Sequence, residues 1–199
     1  MNEILLLRHA EPESAGLYIG RGSNPELSPA GRKKAEEITR ILVREKPERL
    51  YSSPLKRALK TITPTAVKTG LEIVISENFS EMDFGDWEGL GWKEIEQRDP
   101  NLWHSWLDNP WEIPPPGGET LKELQERVIS SLNQILNNHP GEKILIATHG
   151  GPIRTILGHA LALEPSAFWS VGIDYAGLCR FRQQPLGALD LLQWNIHLK

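Results

Sequence analysis

The chain has a single cysteine, Cys179, among its 199 residues. That excludes an intramolecular disulfide and any metal cluster built on cysteine, and it fits a reducing compartment, so a cytoplasmic location is expected. Long apolar runs are missing. The first, residues 4–7, is too short for a signal-peptide core, and nothing approaches the ~20 residues of a membrane span. An excess of either charge is missing too: 22 Lys plus Arg against 26 Asp plus Glu leave a net charge of −4, which argues against broad nucleic-acid binding. There is no Walker-type glycine loop, no metal-ligand cluster, no internal repeat and no low-complexity linker. No metal, cofactor, nucleic acid or membrane partner is therefore expected. One domain over residues 1–199 is the expected organisation.

What is present is an alternation of short apolar runs and amphipathic stretches. Residues 4–7 read as a strand buried on both faces, and Arg8-His9 follows it with no turn between. Ser28-Pro29 caps an amphipathic helix over 29–45. A short strand at 49–52 precedes Ser53-Pro54, which repeats the cap signal for a helix over 54–69, kinked at Pro64 and ended by Gly70. A third strand is expected at 71–75. Residues 79–111 are dense in aromatics and acids, with room for two short helices. Gly118 or Thr120 opens a helix that stops at Pro140-Gly141, a fourth strand covers 143–147, and a helix runs from there to about 160. Residues 177–194 read as two strands joined near 184–187. Strands alternating with helices imply an α/β sandwich on a largely parallel sheet, with an antiparallel addition at the tail.

If the sheet is parallel, one edge gathers the chemistry. Arg8-His9 ends the first strand, His149 ends the fourth, Arg57 lies in the first turn of the second helix, and Glu81 follows the third strand. Two arginines, two histidines and a helix N-terminus make a pocket suited to a phosphate dianion. With no catalytic cysteine or metal, a neutral imidazole, His9, is the group able to attack phosphorus. Nearby cations favour its neutral form, and Glu81 is the acid in reach of the leaving oxygen. Five tryptophans, Trp87, Trp92, Trp103, Trp106 and Trp111, fall within 25 positions, either as core or as an aromatic wall beside the leaving group.

These residues resemble the histidine phosphatase superfamily, which includes the cofactor-dependent phosphoglycerate mutases. Leu6-Leu7-Arg8-His9-Ala10-Glu11 looks like its Arg-His-Gly signature. Leu27-Ser28-Pro29-Ala30-Gly31, Tyr51-Ser52-Ser53-Pro54-Leu55-Lys56-Arg57-Ala58, Glu81-Met82-Asp83-Phe84-Gly85-Asp86-Trp87-Glu88-Gly89 and Thr148-His149-Gly150-Gly151-Pro152-Ile153-Arg154 follow in the family's order. The resemblance implies a three-layer α/β/α sandwich with a mixed, mostly parallel six-stranded sheet. It makes His9 the phosphorylated nucleophile and Glu81 the proton donor. Arg8, Arg57 and His149 become phosphate ligands, with His149 also in the catalytic set. Two positions depart from the pattern. Ala10 replaces the usual glycine, and Ala15 stands where many members place a phosphate-holding asparagine; whether Ser14 beside it takes that place stays open, and it is not counted among the phosphate ligands.

Within the superfamily, Ala15-Gly16-Leu17-Tyr18-Ile19-Gly20 and Pro116-Gly117-Gly118-Glu119-Thr120 look most like the α-ribazole phosphatase group, whose members remove the 5′-phosphate of α-ribazole phosphate in cobalamin assembly. The expected activity is thus a phosphomonoesterase on a nucleotide-like small-molecule phosphate. A phosphoglycerate mutase, a broad-specificity sugar phosphatase and a catalytically dead phosphate-binding domain are the competing readings. A homodimer stays open as the assembly.

Overall fold

The computed structural model describes residues 1–197, so the last two positions of the expected 1–199 domain lie outside the described residues. Six strands, β1 (Glu3–Arg8), β2 (Arg49–Ser52), β3 (Ile73–Ile75), β4 (Lys143–Thr148), β5 (Leu178–Gln183) and β6 (Leu189–Ile196), form one sheet in the order β3-β2-β4-β1-β5-β6. The first four run parallel, while β5 is antiparallel to both β1 and β6. The expected mixed sheet is present.

Strand alternation sorts the core into two halves. Leu5 and Leu7 of β1 pack with Leu145, Ala147 and Leu50 against α1 (Pro29–Arg44) and α2 (Lys56–Thr69). Ile4 and Leu6 face the other way, with Ile144 and Ile146, toward α5 (Leu121–Asn138), α6 (Gly150–Leu161) and the 79–113 segment. That segment carries α3 (Trp92–Arg98) and α4 (Pro100–Asp108). The result is helices on both faces of a sheet, with β1 and β4 at its centre.

Several local expectations change. Ser53 does not cap α2: Leu55 takes the N-cap position, with no side-chain cap bond. As expected, α2 runs through Pro64, which removes only one helical donor, and ends at Gly70. β3 is three residues long rather than five, and Val74 and Ile75 are exposed, as befits a short edge strand. Thr120, not Gly118, opens α5, through a capping box with Glu123. The methyl of Ala10, the residue in place of glycine, is fully buried in a small cluster with Leu27, Ala35 and Ala176.

The tryptophans resolve mostly as core. Trp87, Trp103 and Trp106 are 1%, 5% and 0% exposed. Trp106 stacks on Trp103 at 5.5 Å and meets Trp87 edge-on at 5.1 Å. Trp92 is half exposed, and Trp111 lines a separate cavity beside Arg154. Truncation of a buried tryptophan removes about 3–5 kcal/mol. Trp106→Ala is therefore expected to lower the unfolding free energy by that order, read as a lower urea midpoint. A variant of unchanged stability but altered KM would instead put Trp106 against the substrate.

Candidate active site

Parallel pairing of β1 with β4 sets Arg8 opposite Thr148, so the residues after each strand meet. The rings of His9 and His149 are 5.0 Å apart between centroids. Arg8, His9, Arg57 and Glu81 line one cavity of about 260 Å³, as the sequence predicts. His149 is placed differently. It is fully buried behind His9 and Arg57, not on the cavity wall.

Hydrogen bonding fixes the ring protons. His9 Nδ1 lies 2.8 Å from the Ala10 carbonyl, which can only accept, so Nδ1 carries the proton and Nε2 keeps its lone pair. Burial, then Arg57, then Arg8 hold the His9 pKa well below the usual imidazole value. The ring is therefore neutral and bare at Nε2, the state a nucleophile requires. The peptide that orients it is fixed in turn: Ala10 N–H donates to Thr61 Oγ1, which donates to the Arg57 carbonyl. His149 Nδ1 accepts from Arg57 Nε at 3.2 Å, so its Nε2–H donates to Ser53 Oγ at 2.8 Å. Burial and the same arginines push its pKa well down as well.

The two arginines differ. Arg57 is fully buried and spends four of its five N–H groups inside the protein. Nε goes to His149, Nη1 to the Ser23 carbonyl, and Nη2 to the carbonyls of Ile19 and Gly20. Burial lowers its pKa to about 10, still charged at neutral pH. Arg8 donates Nη1 to the Ile173 carbonyl and lies over the Tyr175 ring at 4.1 Å. Its Nε is buried with no partner among the described residues, leaving the Nε–Nη2 edge of the fork for a ligand.

Glu81 accepts from the Gly151 N–H at 3.0 Å and from the Met82 N–H at 2.9 Å. A Cβ on Gly151 would sit 2.1 Å from Glu81 Oε1, so glycine is needed there because the carboxylate comes that close. From α5, Arg127 donates to the carbonyls of Asn78, Ser80 and Glu81 and pairs with Glu119, which accepts from Asp83 N–H. Thus the Pro-Gly-Gly-Glu stretch ahead of α5 anchors the loop that carries Glu81. Gly85, at φ +50°, packs against the Pro116 carbonyl in the same junction.

Sequence reading missed four residues. Ser53 looks like a helix cap but supplies the partner of His149. Tyr175 and Trp169 line the cavity from residues 161–176, a stretch without helical or strand periodicity. Arg154 also lines it, with Nε on the Val171 carbonyl and no carboxylate within ion-pair distance among the described residues. Its place at the end of the Thr148–Arg154 block, five residues after His149, is the sequence signal that could have flagged it.

Both buried histidines bind protons less well folded than unfolded. Their contribution to stability is complete above the unfolded value of about 6.5 and is lost as pH falls below it. Unfolding free energies from urea titrations are expected to be level from pH 8 to 7 and to decline below about 6.5, by up to about 1.4 kcal/mol per pH unit for each histidine. A profile that stays level down to pH 5 would contradict neutral burial.

Residues 4–197 match the histidine phosphatase superfamily (branch 1). Phosphoserine phosphatase 1 of Hydrogenobacter thermophilus is 33% identical over 178 residues, 88% of this chain and 84% of that protein. The mycobacterial glucosyl-3-phosphoglycerate phosphatase, solved with VO3, superposes with a TM-score of 0.89 at 23% identity, covering 99% of this chain and 100% of that one. The α-ribazole phosphatase from Shigella flexneri gives 0.87 at 22%, covering 98% and 96%. At such identities the two structures speak for the fold alone. A family match along nearly the whole chain, on a pocket with a bare imidazole nitrogen between two arginines, leaves one conclusion: the chain is a phosphatase belonging to the histidine phosphatase superfamily.

Proposed function

We propose that this phosphatase hydrolyses a small phosphomonoester through a phosphohistidine on His9, and that its leaving group bears a carboxylate. The observation that carries the first half is the unprotonated Nε2 of His9 at the wall of the cavity, opposite donors that suit a phosphoryl group. Nε2 attacks phosphorus, the ester oxygen leaves with a proton from Glu81, and water then releases phosphate from the histidine. Arg8 presents its fork to the phosphoryl oxygens, and Arg57 adds its one remaining N–H. His149 holds Arg57 and backs the His9 ring; it reaches a phosphoryl oxygen only if Nε2–H leaves Ser53.

Arg154 supports the second half. Three guanidinium groups, Arg8, Arg57 and Arg154, face a ligand that needs two of them for its dianionic phosphoryl group. A carboxylate on the leaving group uses the third. The relative at 33% identity bears the name of a phosphoserine phosphatase, in keeping with such a substrate. A nucleotide-like ester such as α-ribazole 5′-phosphate is the second reading. Its wall is not the tryptophan run but Tyr18, Phe84 and Trp169, whose rings line the cavity and can stack on a base.

Wild type incubated with substrate is expected to carry acid-labile, base-stable phosphate, and His9→Ala to carry none and to lose turnover. Trapped phosphate on His9→Ala would sink the assignment. Among phosphoserine, α-ribazole 5′-phosphate and 3-phosphoglycerate, phosphoserine is expected to give the highest kcat/KM. Arg154→Gln should cut that value by about tenfold or more, the effect of one charged hydrogen bond, and spare aryl phosphates. A preference for α-ribazole 5′-phosphate untouched by Arg154→Gln would favour the second reading. Isomerisation of 3-phosphoglycerate without phosphate release would make the enzyme a mutase.

A further inference from the structure

The donors already assigned do not suffice for a phosphoryl dianion. Its three non-bridging oxygens can accept about six hydrogen bonds. Arg57 has one N–H left, both nitrogens of His149 are committed inside the protein, and Arg8 supplies the free edge of its fork. Meanwhile three side-chain donors around this cavity are buried and have no partner among the described residues: Arg8 Nε, Ser14 Oγ and Trp169 Nε1. They come from three separate chain segments. A buried donor without a partner is costly, and three around one cavity point to a ligand rich in acceptors.

From this deficit we infer that Ser14 is a phosphate ligand, its hydroxyl donating to a non-bridging phosphoryl oxygen. Ser14 lies on the loop that leaves β1 just after Arg8 and His9, and its carbonyl accepts from Leu17 N–H, so the loop is turned at this residue. Ala15, where the family's asparagine is expected, is exposed and does not line the cavity. A neutral donor also suits the place, because a further cation would raise repulsion among guanidinium groups already buried there. The inference rests on the phosphatase reading above.

The test compares full-length wild type, Ser14→Ala and Ser14→Cys, a near-isosteric but far weaker donor. Aryl phosphate is the substrate and inorganic phosphate the competitive inhibitor. Both variants are expected to raise the phosphate inhibition constant by about tenfold or more, as for one hydrogen bond to an anion. They should also lose most of the rise in thermal midpoint that phosphate gives wild type. Without phosphate their midpoints should equal or exceed that of wild type, because no protein hydrogen bond is broken. A folded Ser14→Ala or Ser14→Cys with wild-type phosphate inhibition and a wild-type thermal shift overturns the assignment. So does a midpoint that falls without phosphate, which would give the hydroxyl a structural role. If wild type itself neither turns over aryl phosphate nor responds to phosphate, the phosphatase reading of this pocket fails first.

Discussion

A guanidinium charge with no exposed surface and, among the described residues, no ion-paired carboxylate governs the architecture around the pocket. Burying Arg57 would be prohibitive without compensation, and four separate groups provide it: the carbonyls of Ile19, Gly20 and Ser23, and the ring of His149. Those carbonyls are fixed because Glu88 accepts from Gly20 N–H, Gly22 N–H and the Ser23 hydroxyl. Arg57 therefore ties the loop after β1, the start of α2, the end of β4 and the aspartate- and glutamate-rich loop into one unit. Its charge also depresses the pKa of both histidines. The same interaction that organises the loops keeps the nucleophile unprotonated.

Elements whose side chains meet the core directly were legible in the sequence. β1 declares itself through its four-residue apolar run and α1 through a regular buried stripe, β2 falls at its expected 49–52, and the bounds of β1 and α1 lie within one residue of expectation. The convergence of Arg8, His9, Arg57 and Glu81 followed from parallel topology alone, because carboxyl ends of neighbouring strands share an edge. What stayed hidden depends on partners distant in sequence. Ser53 has the look of a cap until His149 is placed 2.8 Å away. Trp169 and Tyr175 sit in a segment with no period to read, and their relevance comes from the cavity they close. The tryptophan run misleads for the opposite reason: clustering in sequence reflects a local aromatic core, and that core reaches the cavity only through Tyr18, Phe84 and Trp169.

Glycines at the site are there to admit particular atoms. Gly151 admits the Glu81 carboxylate to the first turn of α6, and Gly85 admits the Pro116 carbonyl to the loop that bears Glu81. The acid is thus located by backbone on two sides, while Arg127 and Glu119 clamp its own chain. Such a group has little freedom to adjust, which suits proton delivery to one oxygen at one geometry.

β1 is hydrogen-bonded on both flanks, to β4 and β5, and its residues from Ile4 to Leu7 are at most 1% exposed. Amides in such a strand exchange with solvent deuterium only when the whole molecule opens, whereas the loops around a cavity exchange through small local openings. His9 follows directly on this doubly paired, buried strand, and Tyr175 and Trp169 line the cavity from a segment with few strand or helix bonds of its own. Substrate entry and phosphate departure can therefore proceed through breathing of one wall while the attacking nitrogen stays in register with the sheet.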